Sequence, residues 1–464
     1  MHRGGLQGLM WSVNDIITAT GGRLISGSQE TEFSSISTDT RSLKPGDLFI
    51  ALKGEHHDAH AFVAEAFSKG AKGALVMHPS IDYHGTVIVV SNTLTALGDL
   101  AQYLRNSFNL PVVGITGSTG KTTVKEFVAS ILSREGKCLK TEKNFNNLVG
   151  VPITLLGLKK EHDFAVIEMG TNRPGEIERL SSIARPNISV ITNISPAHLN
   201  GLKSIEGIIK EKQAIFRNTI PGGIAILNPY MDYMDGIEIP KGLDRITFSL
   251  SEDTDVRAKN IISSNMQGSD FVADIAGKDV RIKVGIPGMH NILNALAASA
   301  CAVALGMDTE TIAYGIENAG FPGSRVEVTV SDALTIIDDS YNANPASMKA
   351  ALDILKGFPH TFKIAVLGDM LELGSDSSYW HEELGRWAAS SGVDRLIVTG
   401  KFASLVADSA ISEGMDASSV FKASGIEEVK GLMSDIIGKD AVVLVKASRA
   451  VQLDRIVGYL KAVA

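Results

Sequence analysis

The segment Val112-Val113-Gly114-Ile115-Thr116-Gly117-Ser118-Thr119-Gly120-Lys121-Thr122-Thr123 constrains the fold more than any other part of the chain. A short apolar run of strand character enters a glycine turn, and a helical segment follows. Glycines in such a turn let backbone N–H groups converge on phosphate oxygens, and the next helix adds the positive end of its dipole. Lys121 is then suited to the β and γ phosphates of a nucleotide and the Thr122 hydroxyl to a magnesium ion, with Gly117, Ser118, Thr119, Gly120 and Thr123 completing the cradle. The strict pattern has glycine where Ile115 stands; Gly114 and Gly117 take the neighbouring turns. The bland alternative, a tight turn capped by threonines with Lys121 in solvent, fits the strand-loop-helix context less well. A bound nucleotide is expected, but the loop does not say what its energy is used for.

Around this loop the apolar runs are short and bounded by glycine and proline. They predict strands at 47–52, 73–77 and 86–90, then at 112–116, 164–168, 188–193 and 223–228, and finally at 333–338, 363–367, 395–399 and 441–446. Helices are predicted at 61–69, 94–108, 122–134, 291–305, 346–356, 379–391 and 451–463. Strands alternating with helices imply mostly parallel sheets covered on both faces. Residues 245–284 alternate like strands and read as an antiparallel flap. A single core stops growing near about 250 to 300 residues, so 464 residues imply several domains. The expectation is three α/β domains in series, 1–108, 109–320 and 321–464, the central one a parallel-sheet ATPase unit.

A net charge of -8 leaves no positive field to attract a phosphate backbone, so nucleic acid is not an expected partner. Two cysteines, Cys138 and Cys301, make neither a disulfide framework nor a metal-ligand spacing, and both are expected in the core. The glycine-rich stretch 1–13 lacks the apolar centre of a secretion signal, and no run approaches about 18 apolar residues. A cytoplasmic protein without a membrane partner, and a monomer, is the expectation.

A magnesium-nucleotide needs hard oxygen ligands from the ends of neighbouring strands. Glu168 closes the apolar run 164–167 and is such a candidate; a solvated loop carboxylate is the alternative. His198 also follows a strand, where a lone histidine is more often structural. Lys210 and Lys212 lie on a probable helix just downstream, and composition alone makes both surface charges.

With these residues in view, the chain resembles the Mur ligases of bacterial cell-wall synthesis over nearly its whole length. The matching pieces include Ser37-Thr38-Asp39-Thr40-Arg41, the loop at 116–123, Asn144-Phe145-Asn146-Asn147, Glu168-Met169-Gly170, the stretch 195–199, and Pro287-Gly288-Met289-His290-Asn291 with Asn294. The most discriminating are Asp338-Asp339-Ser340-Tyr341-Asn342-Ala343-Asn344-Pro345, and Leu367-Gly368-Asp369-Met370-Leu371-Glu372-Leu373-Gly374 with His381. These are similar to the family members that add D-alanyl-D-alanine. Ala59, Ala214, Ala447 and Arg173 depart from common family residues, without removing a proposed phosphate or metal ligand.

The resemblance implies a Rossmann-like C-terminal domain and an ATP-dependent peptide ligase with UDP-N-acetylmuramoyl-tripeptide and D-alanyl-D-alanine as substrates, working through an acyl phosphate. It implies that Thr122, Glu168, His198 and Lys212 serve Mg2+, with Lys212 carbamylated and Lys210 the competing choice by register. By the same likeness Lys121, Lys212, Glu168 and His198 are catalytic. Asn291, Asn294, Arg325 and Asp339 are nucleotide contacts, and Thr38, Thr40, Arg41, Asn146, Asn147, Asn342 and Asn344 face the substrates. The rival readings are a related ligase of Mur or folylpolyglutamate type with another acceptor, and a nucleotide-binding protein without ligase activity. The second rival would lack the Glu168 and Lys212 ligands.

Overall fold

The computed structural model describes residues 10–463 apart from 55–56, 81–82, 84, 252, 322–325, 332–333, 360–361 and 435–439. The chain divides into two compact units, one comprising 1–112, 137–169 and 179–186, the other 113–136, 170–178 and 187–464.

In the first unit, five strands form a sheet in the order Arg23–Ser26, Thr86–Val89, Gly73–Val76, Leu48–Ile50, Ile36–Ser37. The edge strand Arg23–Ser26 is antiparallel and the rest are parallel. Leu48–Ile50 is buried throughout, as a strand covered on both faces must be. Helix Thr93–Asn106 begins at Asn92, whose Oδ1 accepts from Thr95 N at 3.0 Å. In the same unit Cys138–Lys140 pairs in parallel with Phe164–Glu168.

The second unit carries two sheets. One runs Lys278–Val284, Gly268–Ile275, Val256–Asn265, Asp244–Ser249, Ile224–Leu227, Ile188–Ile191, Val112–Thr116. Its last four strands are parallel, and Val112–Thr116 and Ile188–Ile191 are buried at every residue. The antiparallel flap expected over 245–284 is real only from Val256 onward. Asp244–Ser249 runs parallel to Ile224–Leu227, because the long connection between them carries the chain back to the same end. Helix Met289–Ala304 packs beside helix Lys121–Leu132, and its alanines let the two approach closely.

The other sheet runs Glu327–Val330, Thr335–Asp338, Ala441–Lys446, Phe362–Gly368, Arg395–Thr399, Val420–Ala423. Separate apolar clusters cover its two faces. Met348, Leu352, Leu355 and Leu384 belong to one, and Val429, Met433, Ile456 and Leu460 to the other. This is the doubly wound layering that alternating strands and helices predict. Helices Val13–Thr20, Thr309–Glu317, Ala403–Ser412 and Ile426–Met433, and strands Glu327–Val330 and Val420–Ala423, were not foreseen. Cys301 is buried, and burial pushes its thiol up; Cys138 is only partly covered, since its strand is short. Among the described residues, no helix is long and apolar enough to cross a membrane.

Candidate active site

The glycine loop leaves strand Val112–Thr116 and enters helix Lys121–Leu132 at Gly120, its N-cap, with φ 78°. Gly117 has φ 151°. A Cβ on Gly117 would collide with Thr192 Oγ1, and one on Gly120 with Asn294 Oδ1, so both positions need glycine for space as well as for backbone angle.

The segment after strand Ile188–Ile191 fixes the loop. Asn193 Oδ1 accepts from Thr119 N at 2.9 Å, and its amide donates to Thr119 Oγ1. Thr192 Oγ1 donates to Thr119 O at 2.5 Å. Ser118 Oγ accepts from Ser195 N at 2.9 Å and donates to Ser195 O at 2.8 Å. Ser195 Oγ itself is buried with no hydrogen-bond partner among the described residues, which is unusual and marks a place where a further polar group fits.

Lys121 Nζ donates to Gly117 O at 2.7 Å, and Lys212 Nζ donates to the same oxygen at 2.8 Å. Lys212 lies in helix Ile205–Arg217 and is 2% exposed, whereas Lys210 on that helix is exposed, which separates the two registers. Burial, then the charge of Lys121, push the Lys212 ammonium well below the ordinary lysine range, against the opposing charge of Glu211. Buried Glu211 accepts from Thr171 Oγ1 at 3.0 Å, Gly175 N at 2.6 Å and Ile177 N at 2.7 Å, so a carboxylate holds the turn that opens the next helix.

His198 occupies a left-handed conformation, φ 54°, at the start of helix Leu199–Leu202. Its Nδ1 lies 2.5 Å from Glu372 Oε2. The hydrogen bond from His198 is the main cause holding the Glu372 carboxyl below the usual glutamate range. In helix Met289–Ala304, buried Asn291 donates from Nδ2 to Pro287 O at 2.7 Å and accepts from Asn294 Nδ2 at 3.0 Å, which sets Asn294 against the loop.

Glu168, in the first unit, is 2% exposed at the end of its strand. Asn146 Nδ2 donates to Glu168 Oε1 at 2.8 Å, so two residues selected separately meet. Asn147 Oδ1 instead accepts from Val149 N and Gly150 N, capping the turn before helix Gly150–Leu156. Arg41 is paired bidentately with Asp39, whose carboxyl this bond draws down to about 2, and Thr40 O accepts from Lys69 Nζ. Thr38 is partly buried beside them.

In the C-terminal part, Lys446 is 1% exposed and donates to Asp339 Oδ2 at 2.5 Å and to Asn342 O at 2.9 Å. Burial pushes the Asp339 carboxyl up, against the pull of Lys446. Asn344 Oδ1 accepts from Ser347 N at 2.9 Å as the N-cap of helix Pro345–Gly357. Arg325 lies outside the described residues. Among those described, no three His, Cys, Asp or Glu side chains form a metal cluster, so the metal set expected from the sequence is not a cage of such residues. Asn193, Ser195, Glu211, Glu372 and Lys446 were not selected as site residues from the sequence. For Glu372 the signal was present, since it belongs to the discriminating stretch 367–374.

A phosphate-cradling loop on a parallel sheet, with two lysines converging on it and a doubly wound sheet following, defines an α/β nucleotide-dependent enzyme class. The model for the Mur ligase middle domain matches residues 115–302, and that for the Mur ligase glutamate ligase domain matches 324–449. The chain belongs to the Mur ligase family. It is 39% identical over 433 residues, 92% of each chain, to the UDP-N-acetylmuramoyl-tripeptide--D-alanyl-D-alanine ligase of Buchnera aphidicola subsp. Baizongia pistaciae. The crystal structure of MurF from Acinetobacter baumannii superimposes with a TM-score of 0.91 at 35% identity, covering 98% of this chain and 100% of that one. The MurF ligase of Thermotoga maritima in complex with ADP gives 0.83 at 27% identity, covering 92% and 97%. The fold is the three-domain Mur ligase architecture.

Proposed function

We propose that the protein joins D-alanyl-D-alanine to UDP-N-acetylmuramoyl-tripeptide at the expense of ATP, giving the pentapeptide, ADP and phosphate. The observation that carries this reading is the meeting of Lys121 and Lys212 at the Gly117 carbonyl, inside a loop held by Asn193 and Ser118. The likeness to a UDP-N-acetylmuramoyl-tripeptide--D-alanyl-D-alanine ligase over more than nine tenths of the chain supports this choice of substrates.

An oxygen of the tripeptide's terminal carboxylate attacks the γ-phosphorus of ATP, and ADP leaves. The amine of D-alanyl-D-alanine then attacks the acyl phosphate carbon; the C–O bond breaks, phosphate departs with the former carboxylate oxygen, and the amine loses a proton. Lys121 and the inward N–H groups of 117–123 stabilise negative charge that spreads over the transferring phosphoryl oxygens. Gly117, Ser118, Thr119, Gly120 and Thr123 form the cradle, with Asn291, Asn294, Arg325 and Asp339 on the nucleoside side.

Thr122, Glu168, His198 and Lys212 would hold Mg2+, which neutralises phosphate charge when bound. The fit rests on two features: Ser195 Oγ is buried without a partner among the described residues, and burial pushes the Lys212 ammonium well below the ordinary lysine range, which favours the neutral amine. A neutral amine adds carbon dioxide and releases a proton, so Lys212 becomes an anionic oxygen ligand opposite Lys121. Thr38, Thr40 and Arg41 face the uridine nucleotide, and Asn146, Asn147, Asn342 and Asn344 the peptide portions. Domain limits of 1–108, 109–320 and 321–464, a monomer and a cytoplasmic location complete the proposal.

The test mixes protein, ATP, magnesium and UDP-N-acetylmuramoyl-tripeptide with and without D-alanyl-D-alanine. Phosphate release that requires the dipeptide is expected; release indifferent to it would remove the assignment.

A further inference from the structure

The geometry points to Glu372 as a positioning residue that fixes the ring of His198 through Nδ1. This rests on the reading of His198 as a metal-side residue given above.

The contact joins two residues that are both forced into left-handed backbone, His198 at φ 54° and Glu372 at φ 65°. Such conformations are unfavourable for residues with a Cβ, and they persist where neighbouring structure over-determines them, often at functional sites. An ion pair whose carboxylate side chain is 50% exposed contributes little to stability, so stability does not account for the arrangement.

The scaffold around Glu372 holds its backbone residue by residue. Met370 N donates to His381 Nε2 at 3.0 Å, with His381 Nδ1 donating to Ser377 O at 2.6 Å. Leu371 N donates to Ser448 Oγ at 2.9 Å. Glu372 O accepts from Asn200 N at 3.1 Å, two residues beyond His198, so backbone and side chain of Glu372 grip the same segment. Leu373 is buried at 1% exposure and anchors the far side.

A carboxylate only accepts hydrogen bonds, so the proton of a neutral His198 ring sits on Nδ1 and Nε2 keeps its lone pair. A ligating histidine characteristically donates its other ring N–H to a carboxylate, a backbone carbonyl or a water, and removal of such a partner typically lowers metal affinity or activity about 10- to 100-fold. Glu372 lies in the loop after strand Phe362–Gly368 of the six-stranded sheet, whereas His198 follows a strand of the sheet that carries the phosphate loop. The readiness of His198 therefore depends on the C-terminal part being docked.

Two measurements test this with Glu372→Ala and Glu372→Gln, which both retain a Cβ and hence the same backbone strain. Nitrogen NMR of histidine-labelled protein, free of nucleotide and metal, reads the His198 tautomer, with His198→Asn identifying the signal. Wild type and Glu372→Gln are expected to keep Nδ1 protonated, and Glu372→Ala to give a mixture. In turnover, the Mg2+ concentration for half activation is expected to rise about 10- to 100-fold in Glu372→Ala and to recover at least in part in Glu372→Gln. An unchanged tautomer in Glu372→Ala, or superimposable Mg2+ curves, would overturn the inference. A wild-type enzyme that ignores D-alanyl-D-alanine would overturn the proposed reaction and leave the tautomer result to stand on its own.

Discussion

Lys121 and Lys212 donate to one acceptor, the main-chain carbonyl of Gly117, at 2.7 and 2.8 Å. Two ammonium groups repel at such a shared point, and burial acts on the enclosed member, so of the two Lys212 is the one pushed toward the neutral amine. With the Lys212 amine as a carbamate, the pair becomes attractive. Stripping carbon dioxide and bicarbonate should therefore depress turnover reversibly, and carbon-13 bicarbonate should give a carbamate resonance absent from Lys212→Gln. That variant should lose on the order of 100-fold or more in kcat, as when a charge-stabilising group is removed from an active site.

Asn193 holds Thr119 through both ends of its amide. Asn193→Ala leaves the half-buried Thr119 N–H and hydroxyl without that partner, at a cost of about 1–3 kcal/mol. ADP affinity measured by calorimetry should fall roughly tenfold, since 1.4 kcal/mol is a factor of ten. An unchanged Kd would mean that the loop keeps its shape without Asn193.

Glu211 satisfies three donors in the 171–177 turn. Glu211→Ala should destabilise by about 3 kcal/mol and Glu211→Gln by less, because the amide keeps an acceptor. In a domain of this size the Ala variant should lower the melting midpoint by roughly 6 °C or more. Equal melting of both variants and wild type would show the turn to be held by its own backbone.

His290 is held by burial, and secondarily by the charge of Lys446, down at about 4, against 6.5 for an ordinary histidine. Between those values the unfolded chain binds more protons than the folded one, so this group makes stability rise with pH through the window. Acidification from pH 7 to 4.5 should therefore lower the melting midpoint of wild type more than that of His290→Gln. Parallel curves for the two proteins would show that His290 titrates normally.

The strands were legible where burial on both faces makes an uninterrupted apolar run, as in Arg395–Thr399 and Ala441–Lys446, whose limits match the expectation. Glu327–Val330 escaped because an edge strand with Glu327 and Thr329 carries no such run. Ala403–Ser412 is built from small residues whose periodicity is weak. At the site, the choice between Lys210 and Lys212 was readable in principle. Ile208, Lys212 and Ile215 recur at helical spacing on one buried face. Asn193 and Glu211 were hidden for another reason: each acts on a segment distant in sequence, and spacing along one element does not encode that.

The most direct test of the reaction uses tripeptide substrate with oxygen-18 in its terminal carboxylate, and mass analysis of the phosphate released. Transfer through an acyl phosphate requires that phosphate carry one labelled oxygen, in amounts equal to the pentapeptide formed and only when D-alanyl-D-alanine is present. Unlabelled phosphate accompanying pentapeptide would contradict the account.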